Sequence, residues 1–382
     1  LEPAVSWRQH LREGIGQLGT LRPFDYAAAG AELARLDCNE LAFGPTPYER
    51  QRFARAVTEL AFQRYPDMSG RPLREALARG WRVEPDEILL GNGSVELIGL
   101  LMTAFGANAR GEPAKVIYPE PSFPFYEVVA RTHGLKPLAV PLDRHFQLDE
   151  HRFTRAIDEE RPGLALIASP NNPSGNRFDS GMLERLARHL DAAFVVDEAY
   201  IDFAGESMLP RIRTVPGLFI LRSLSKIGLA GLRLGALVGP RDAIVELDKV
   251  RLPWNISAVT SAIACAALDD PQALQERVRT VVELRQVFAA ALRQVPGLVV
   301  YPSEANFLLV RLPMDSAIIF RRLLSQGVLV KDVAGPGLLE RCIRISVGTS
   351  LENERCVQAL RSALEVPGQT ESGFGPVTST RS

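Results

Sequence analysis

Four short segments gather the side chains that could do chemistry. Ser169-Pro170-Asn171-Asn172-Pro173-Ser174-Gly175 follows the apolar run Leu164-Ala168, and Asp197-Glu198-Ala199-Tyr200 follows Phe194-Val196. Arg222-Ser223-Leu224-Ser225-Lys226 follows Leu218-Leu221 and runs on through Gly228-Leu229-Ala230-Gly231-Leu232-Arg233-Leu234-Gly235. In open α/β sheets ligands sit beyond the carboxyl ends of the strands, so three such segments in succession argue for one site. Singly, each has an ordinary explanation. Asn-Asn-Pro is a common turn, an Asp after a strand can cap a helix, and Ser-x-Ser-Lys can open a helix with a solvated lysine. The fourth segment, Gly91-Asn92-Gly93-Ser94-Val95-Glu96, follows the run Ile88-Leu90 and opens a helical stretch. Its amides, at Gly93, Ser94 and Val95, can face an anion at a helix N-terminus. It lacks the third glycine of GxGxxG, and no GxxxxGK[ST] occurs, which argues against dinucleotide and P-loop readings. Arg233 stands in an apolar, glycine-rich stretch, where an unpaired buried guanidinium would be costly, so it is expected to meet an anion.

The elements that must position these groups read as alternating short apolar runs and longer amphipathic segments. The runs are Ile88-Leu90, Val116-Tyr118, Ala165-Ala168, Phe194-Val196, Leu218-Leu221 and Gly235-Val238. Each is short, bounded by turn residues and not clearly alternating, as strands buried on both faces of a parallel sheet are. Residues 45–255 therefore read as one α/β domain with a mostly parallel central sheet flanked by helices. A helix is expected over 52–63 and a long helical segment over 257–294. Strands at 298–300, 306–310, 328–330 and 342–347, with helices over 316–326 and 352–364, make a small α+β domain of residues 1–44 and 256–365. The stretch 366–382, rich in Gly, Ser, Thr and Pro, reads as a disordered tail.

The chain has 382 residues, of which 46% are hydrophobic and 23% charged, ordinary for a globular protein with a large core. Lys plus Arg number 44 against 45 Asp plus Glu, a formal charge of −1. This gives no bulk electrostatic reason to bind nucleic acid or an anionic membrane, and no apolar stretch is long enough to span one. Partners should be small molecules or other subunits. Four cysteines without a CxxC pair point to free thiols in a reducing cytoplasm. Five scattered histidines lack metal-ligand spacing, so no metal site is expected.

The block NNPSG…DEAYIDF…SLSK…GLAGLRLG resembles the fold-type I enzymes of pyridoxal 5′-phosphate, the aspartate aminotransferase superfamily. Within it the sequence is most similar to the histidinol-phosphate aminotransferases, over about residues 35–365. The resemblance implies Lys226 as the Schiff-base lysine that also shuttles a proton, and Asp197 as the partner of the pyridine nitrogen. Tyr200 and Asn172 would donate to the cofactor's phenolate oxygen, and Phe123 would supply the ring-stacking face. Gly93, Ser94, Val95, Ser223, Ser225 and Arg233 would hold the phosphate. The family usually has Asp where Val95 stands, but backbone donation survives that change. Tyr65, in Tyr65-Pro66, matches a tyrosine that reaches the phosphate of the neighbouring subunit, which implies a homodimer with shared active sites.

For the substrate, Arg344 matches the superfamily arginine that forks onto a carboxylate. Lys331 stands where the family commonly has a second arginine, keeping the charge without the fork. Tyr65 and Asn172 also fall on the substrate side. Phe24 stands where the family can have Tyr, and Leu41 where Asn is usual. The implied reaction is transamination of L-histidinol phosphate with 2-oxoglutarate to imidazole-acetol phosphate and glutamate, in histidine biosynthesis. An aromatic amino-acid aminotransferase and a threonine-phosphate decarboxylase are alternatives on the same scaffold. A cofactor-binding regulatory domain is the non-enzyme alternative; residues 1–44 are too short for a winged-helix module.

Overall fold

The computed structural model describes residues 13–16, 18, 19, 24, 33–107 and 111–365. The expected tail, 366–382, lies outside the described residues, as does most of the stretch before residue 33.

Among the described residues twelve strands form two sheets: β1 Ala34–Leu36, β2 Ile88–Gly91, β3 Lys115–Glu120, β4 Lys136–Pro141, β5 Leu164–Ala168, β6 Ala193–Asp197, β7 Leu218–Ser223, β8 Gly235–Val238, β9 Val299–Val300, β10 Phe307–Arg311, β11 Val328–Asp332 and β12 Cys342–Ser346. The larger sheet runs β2-β8-β7-β6-β5-β3-β4. It is parallel except for β8, which is antiparallel to both β2 and β7. The runs look non-alternating because both faces are buried. Leu164, Leu166 and Ala168 pack into the core on one side of the sheet, while Ala165 and Ile167 pack into the core on the other. Helices such as Ser94–Ala104, Phe125–Thr132 and Ser180–His189 cover the faces. With all parallel strands pointing the same way, the ends of β5, β6 and β7 bring Asn172, Asp197 and Ser223–Lys226 to one edge of the sheet.

The smaller sheet, β1-β11-β12-β10-β9, unites the two ends of the chain. Strand β1 pairs in parallel with β11, and the remaining pairs are antiparallel. The β11–β12 register sets Lys331 opposite Arg344.

Several elements differ from expectation. The helix expected over 52–63 is Pro47–Thr58, because Thr46 and Glu49 form a reciprocal capping box with Pro47 in the first turn. The segment 257–294 is two helices, Ala258–Leu268 and Pro271–Arg293, since Asp270 caps a new start and Pro271 cannot continue the old one. Strands β1 and β4 were not anticipated. Strand β4 carries two prolines, tolerated because it is the edge strand beyond β3.

Candidate active site

Lys226 lies in a short 3₁₀ turn, Leu224–Ile227, directly after β7, and Ser223 caps that turn through the Ser225 amide. The lysine Nζ donates to the carbonyl of Cys38 at 3.2 Å and lies 5.7 Å from the centre of the Tyr200 ring. Asp197, the last residue of β6, is only 4% exposed. Its Oδ2 accepts from the Tyr126 hydroxyl at 2.8 Å and its Oδ1 from the Ala199 amide at 3.0 Å. Burial pushes the carboxyl up to about 6, against the opposing pull of Tyr126, the Ala199 amide and the Lys226 charge.

A second group of contacts runs from the small sheet into this cluster. Arg344, on β12, donates Nη1 to Asn172 Oδ1 at 2.7 Å and Nη2 to the Asp37 carbonyl at 2.6 Å. Its Nε is buried without a hydrogen-bond partner among the described residues. Burial, followed by the facing Arg344 charge, lowers the affinity of Lys331 for its proton. Two cations thus stand side by side next to Asn172. Asn39, buried with φ at +53°, donates its side-chain amide to the Tyr200 hydroxyl at 3.0 Å and is itself held by Ser346 and Asn306.

A third group surrounds the turn after β2. Gly93 caps the helix Ser94–Ala104 with φ at +83°, a conformation that favours glycine. A Cβ there would come within 2.7 Å of the Arg233 guanidinium, and one on Gly235 within 2.7 Å of the Ser94 amide. Arg233 Nη1 also lies 3.5 Å from Ser225 Oγ. The helix N-terminus, an arginine and two serine hydroxyls therefore converge around a cradle that side chains at 93 and 235 would fill. Arg233 is exposed rather than buried, so the desolvation argument made from the sequence does not account for it; its approach to Gly93 does.

The directions of these bonds fit pyridoxal phosphate. Because Tyr200 accepts from Asn39, its own proton is left to donate, and because Asn172 Oδ1 is taken by Arg344, its amide nitrogen is left to donate. Those are the two donors a phenolate oxygen needs. The carboxylate of Asp197, the platform of Phe123 and the anion cradle suit the ring nitrogen, the ring face and the phosphate.

The family model for aminotransferase class I and II matches residues 31–360. The chain belongs to the class I and II aminotransferases. It is 39% identical over 357 residues to histidinol-phosphate aminotransferase 2 of Nitrosococcus oceani, covering 93% of this chain and 97% of that protein. It is 35% identical over 332 residues to the histidinol-phosphate aminotransferase of Aquifex aeolicus, covering 87% and 92%. The histidinol-phosphate aminotransferase of Sinorhizobium meliloti, solved in complex with pyridoxal-5′-phosphate, superposes with a TM-score of 0.83 at 27% identity, covering 95% of this chain and 99% of that one.

In this aminotransferase one anticipated site residue stands apart. Tyr65 is 79% exposed and stacks on Trp254 with ring centres 4.5 Å apart. Phe123 is half-buried, stacked on Phe125 and edge-on to Tyr126 at 5.6 Å. Val95 is also half-buried, in the first turn of its helix. Leu41 packs beside Tyr200 and Phe203. Four site neighbours were missed from the sequence: Tyr126, Asn39 in its hydrogen-bonding role, and Glu198 and Arg222, which form a buried pair. In that pair Arg222 Nε lies 3.0 Å from Glu198 Oε2, and Ser207 and the Met208 amide complete the carboxylate's shell. Among the described residues no cluster suits a metal ion, and no helix is long and apolar enough to cross a membrane.

Proposed function

We propose that this aminotransferase moves the amino group of L-histidinol phosphate to 2-oxoglutarate, giving imidazole-acetol phosphate and glutamate, in histidine biosynthesis. The observation that carries the substrate reading is the cross-strand pair Lys331–Arg344 beside Asn172. Two adjacent cations suit a phosphate in one half-reaction and a carboxylate in the other. The names of the relatives support the same reading.

Pyridoxal phosphate, when bound, supplies an aldehyde for the amine and a ring that takes up the electron pair released at the substrate α-carbon. The rest falls to this chain's residues. Lys226 would anchor the cofactor, and its freed amine would carry the proton that leaves the substrate α-carbon. Asp197 holds a proton on the ring nitrogen. Tyr200 and Asn172 donate to the phenolate oxygen. Phe123 covers the ring face. Gly93, Ser94, Val95, Ser223, Ser225 and Arg233 grip the phosphate, and Arg344 and Lys331 orient the substrate anion.

We read the working form as a homodimer whose pockets are shared. Phe62, Tyr65, Met68, Leu252 and Trp254 form an exposed apolar set. It adjoins Asn255, which bonds to Glu96 and the Leu90 carbonyl beside the cradle. A second copy would bury this set and offer its Tyr65 to the neighbouring phosphate. A cytoplasmic enzyme fits four free thiols. We divide the chain at about residues 45 and 255, with the larger sheet in the cofactor domain and the smaller sheet in the other.

The test is a half-reaction. The cofactor-loaded protein mixed with L-histidinol phosphate should convert to its aminated form at micromolar substrate, and 2-oxoglutarate should restore the original spectrum. Conversion with phenylalanine alone, or loss of CO2 from threonine phosphate, would overturn the substrate. Lys331→Ala should raise KM for the phosphorylated amine more than for glutamate.

A further inference from the structure

The helix Phe125–Thr132 follows directly on Phe123, so one segment delivers two aromatic rings to the same place. Phe123 and Tyr126 meet edge to face, with centres 5.6 Å apart and planes at 88°. Tyr126 is fully buried, and its hydroxyl donates to Asp197 Oδ2 at 2.8 Å. A buried phenol needs an acceptor, and a main-chain carbonyl would serve. Here the acceptor is the buried carboxylate at the end of β6.

We propose that Tyr126 is a positioning residue for the transamination: its hydroxyl keeps Asp197 anionic and oriented, so that the proton shared with the cofactor stays on the ring nitrogen. This rests on the reading that Asp197 faces that nitrogen. The proton has two places to sit. On the ring, it leaves a cation paired with the Asp197 carboxylate; on Asp197, it leaves two neutral groups and a ring that takes up electrons poorly. Donors to a buried carboxylate favour its charged form, and among the described residues Asp197 has two, the Tyr126 hydroxyl and its own loop's Ala199 amide. In the cofactor-free protein Lys226, on the neighbouring turn, adds a charge acting in the same direction. Tyr126 is the donor that fixes the side-chain torsion, because it comes from a different element and bonds the oxygen that the loop leaves open. Tyr118 provides an internal control. It is buried in the same aromatic cluster, its ring 6.1 Å from that of Tyr126, and it makes no bond to Asp197.

The experiment uses the holoenzyme loaded with pyridoxal phosphate carrying ¹⁵N in the ring, whose chemical shift separates a protonated from a neutral nitrogen. At neutral pH the wild type should show the protonated shift and Tyr126→Phe a shift toward neutral. The variant's kcat should fall about tenfold, as expected for one bond to a charged group, with KM nearly unchanged. Tyr118→Phe should match the wild type in both readouts. A wild-type ¹⁵N shift in Tyr126→Phe, or the same displacement in Tyr118→Phe, overturns the proposal. If Tyr126→Phe does not fold, 3-fluorotyrosine placed at 126 keeps the shape and strengthens the donor. The ring nitrogen should then hold its proton to higher pH, and an unchanged titration overturns the proposal. Asp197→Asn separates the two readings. If it leaves the ¹⁵N shift unaltered, the assignment of Asp197 fails; if it moves the shift and Tyr126→Phe does not, only the role of Tyr126 fails.

Discussion

The carboxylate of Asp197 is held where solvent cannot stabilise its charge, and the fold without cofactor bears the cost. Its folded-state value, about 6, lies above the ordinary 3.8. A carboxyl raised on folding contributes stability that is full below the ordinary value and lost as pH rises through the folded one. Asparagine at this position has no charge to bury. Asp197→Asn should therefore make the cofactor-free protein more stable than the wild type by up to ~3 kcal/mol above pH 6. The gap should close below pH 3.8. Urea unfolding of both proteins on either side of this window measures it, and an equal gap at the two pH values would sink the explanation. Most of the site is legible at this scale because Lys226, Asp197, Tyr200 and Asn172 lie in contiguous motifs at strand ends. Tyr126 and Asn39 are not, since their partners lie 71 and 161 residues away and neither sits in a pattern that implies a bond.

At the scale of elements, β6 and β7 are joined beneath the pocket by charge as well as by their ladder. Glu198 follows β6 and Arg222 lies within β7; both are buried, and the guanidinium also lies over the Trp81 ring at 5.5 Å. Removing Arg222 leaves Glu198 buried without its cation, and removing Glu198 leaves Arg222 with only Asp202, at 3.9 Å, as a carboxylate partner. Glu198→Ala should cost about 3–5 kcal/mol, while Glu198→Leu combined with Arg222→Met should cost much less. Equal losses in urea unfolding would show that packing, not charge, sets the cost. The strands of the larger sheet were readable because continuous apolar runs are what two buried faces require. Helix ends were less so. The Thr46–Glu49 capping box overrode the apolar spacing that suggested a later start, and Pro271 split what periodicity alone joins. The prolines of β4 hide the pattern of an edge strand, and β1, three residues long, carries too little pattern to be seen.

For the whole molecule, near-neutral charge leaves apolar contact as the main means of association, and the exposed Tyr65–Trp254 stack is one place that offers it. If Tyr65 serves the partner's pocket, mixing Lys226→Ala with Tyr65→Ala, each inactive or weak alone, should restore roughly a quarter of wild-type activity through random pairing into twofold dimers. No gain after subunit exchange would place Tyr65 in its own chain's pocket or outside both.

The pairing of β1 with β11 also sets a schedule. Lys226 leans on the carbonyl of Cys38, Asn39 is pinned by Ser346 across 307 positions of sequence, and Arg344 reaches back to Asp37 over the same span. During synthesis, then, the larger sheet has all its strands once residue 238 has emerged, but the segment 37–39 has no strand to lie against until β11 and β12 follow. Contacts of such separation form late. A chain stopped near residue 320 would carry Lys226 on a sheet with all its strands, but the segment that accepts its hydrogen bond would lack the strands it lies against.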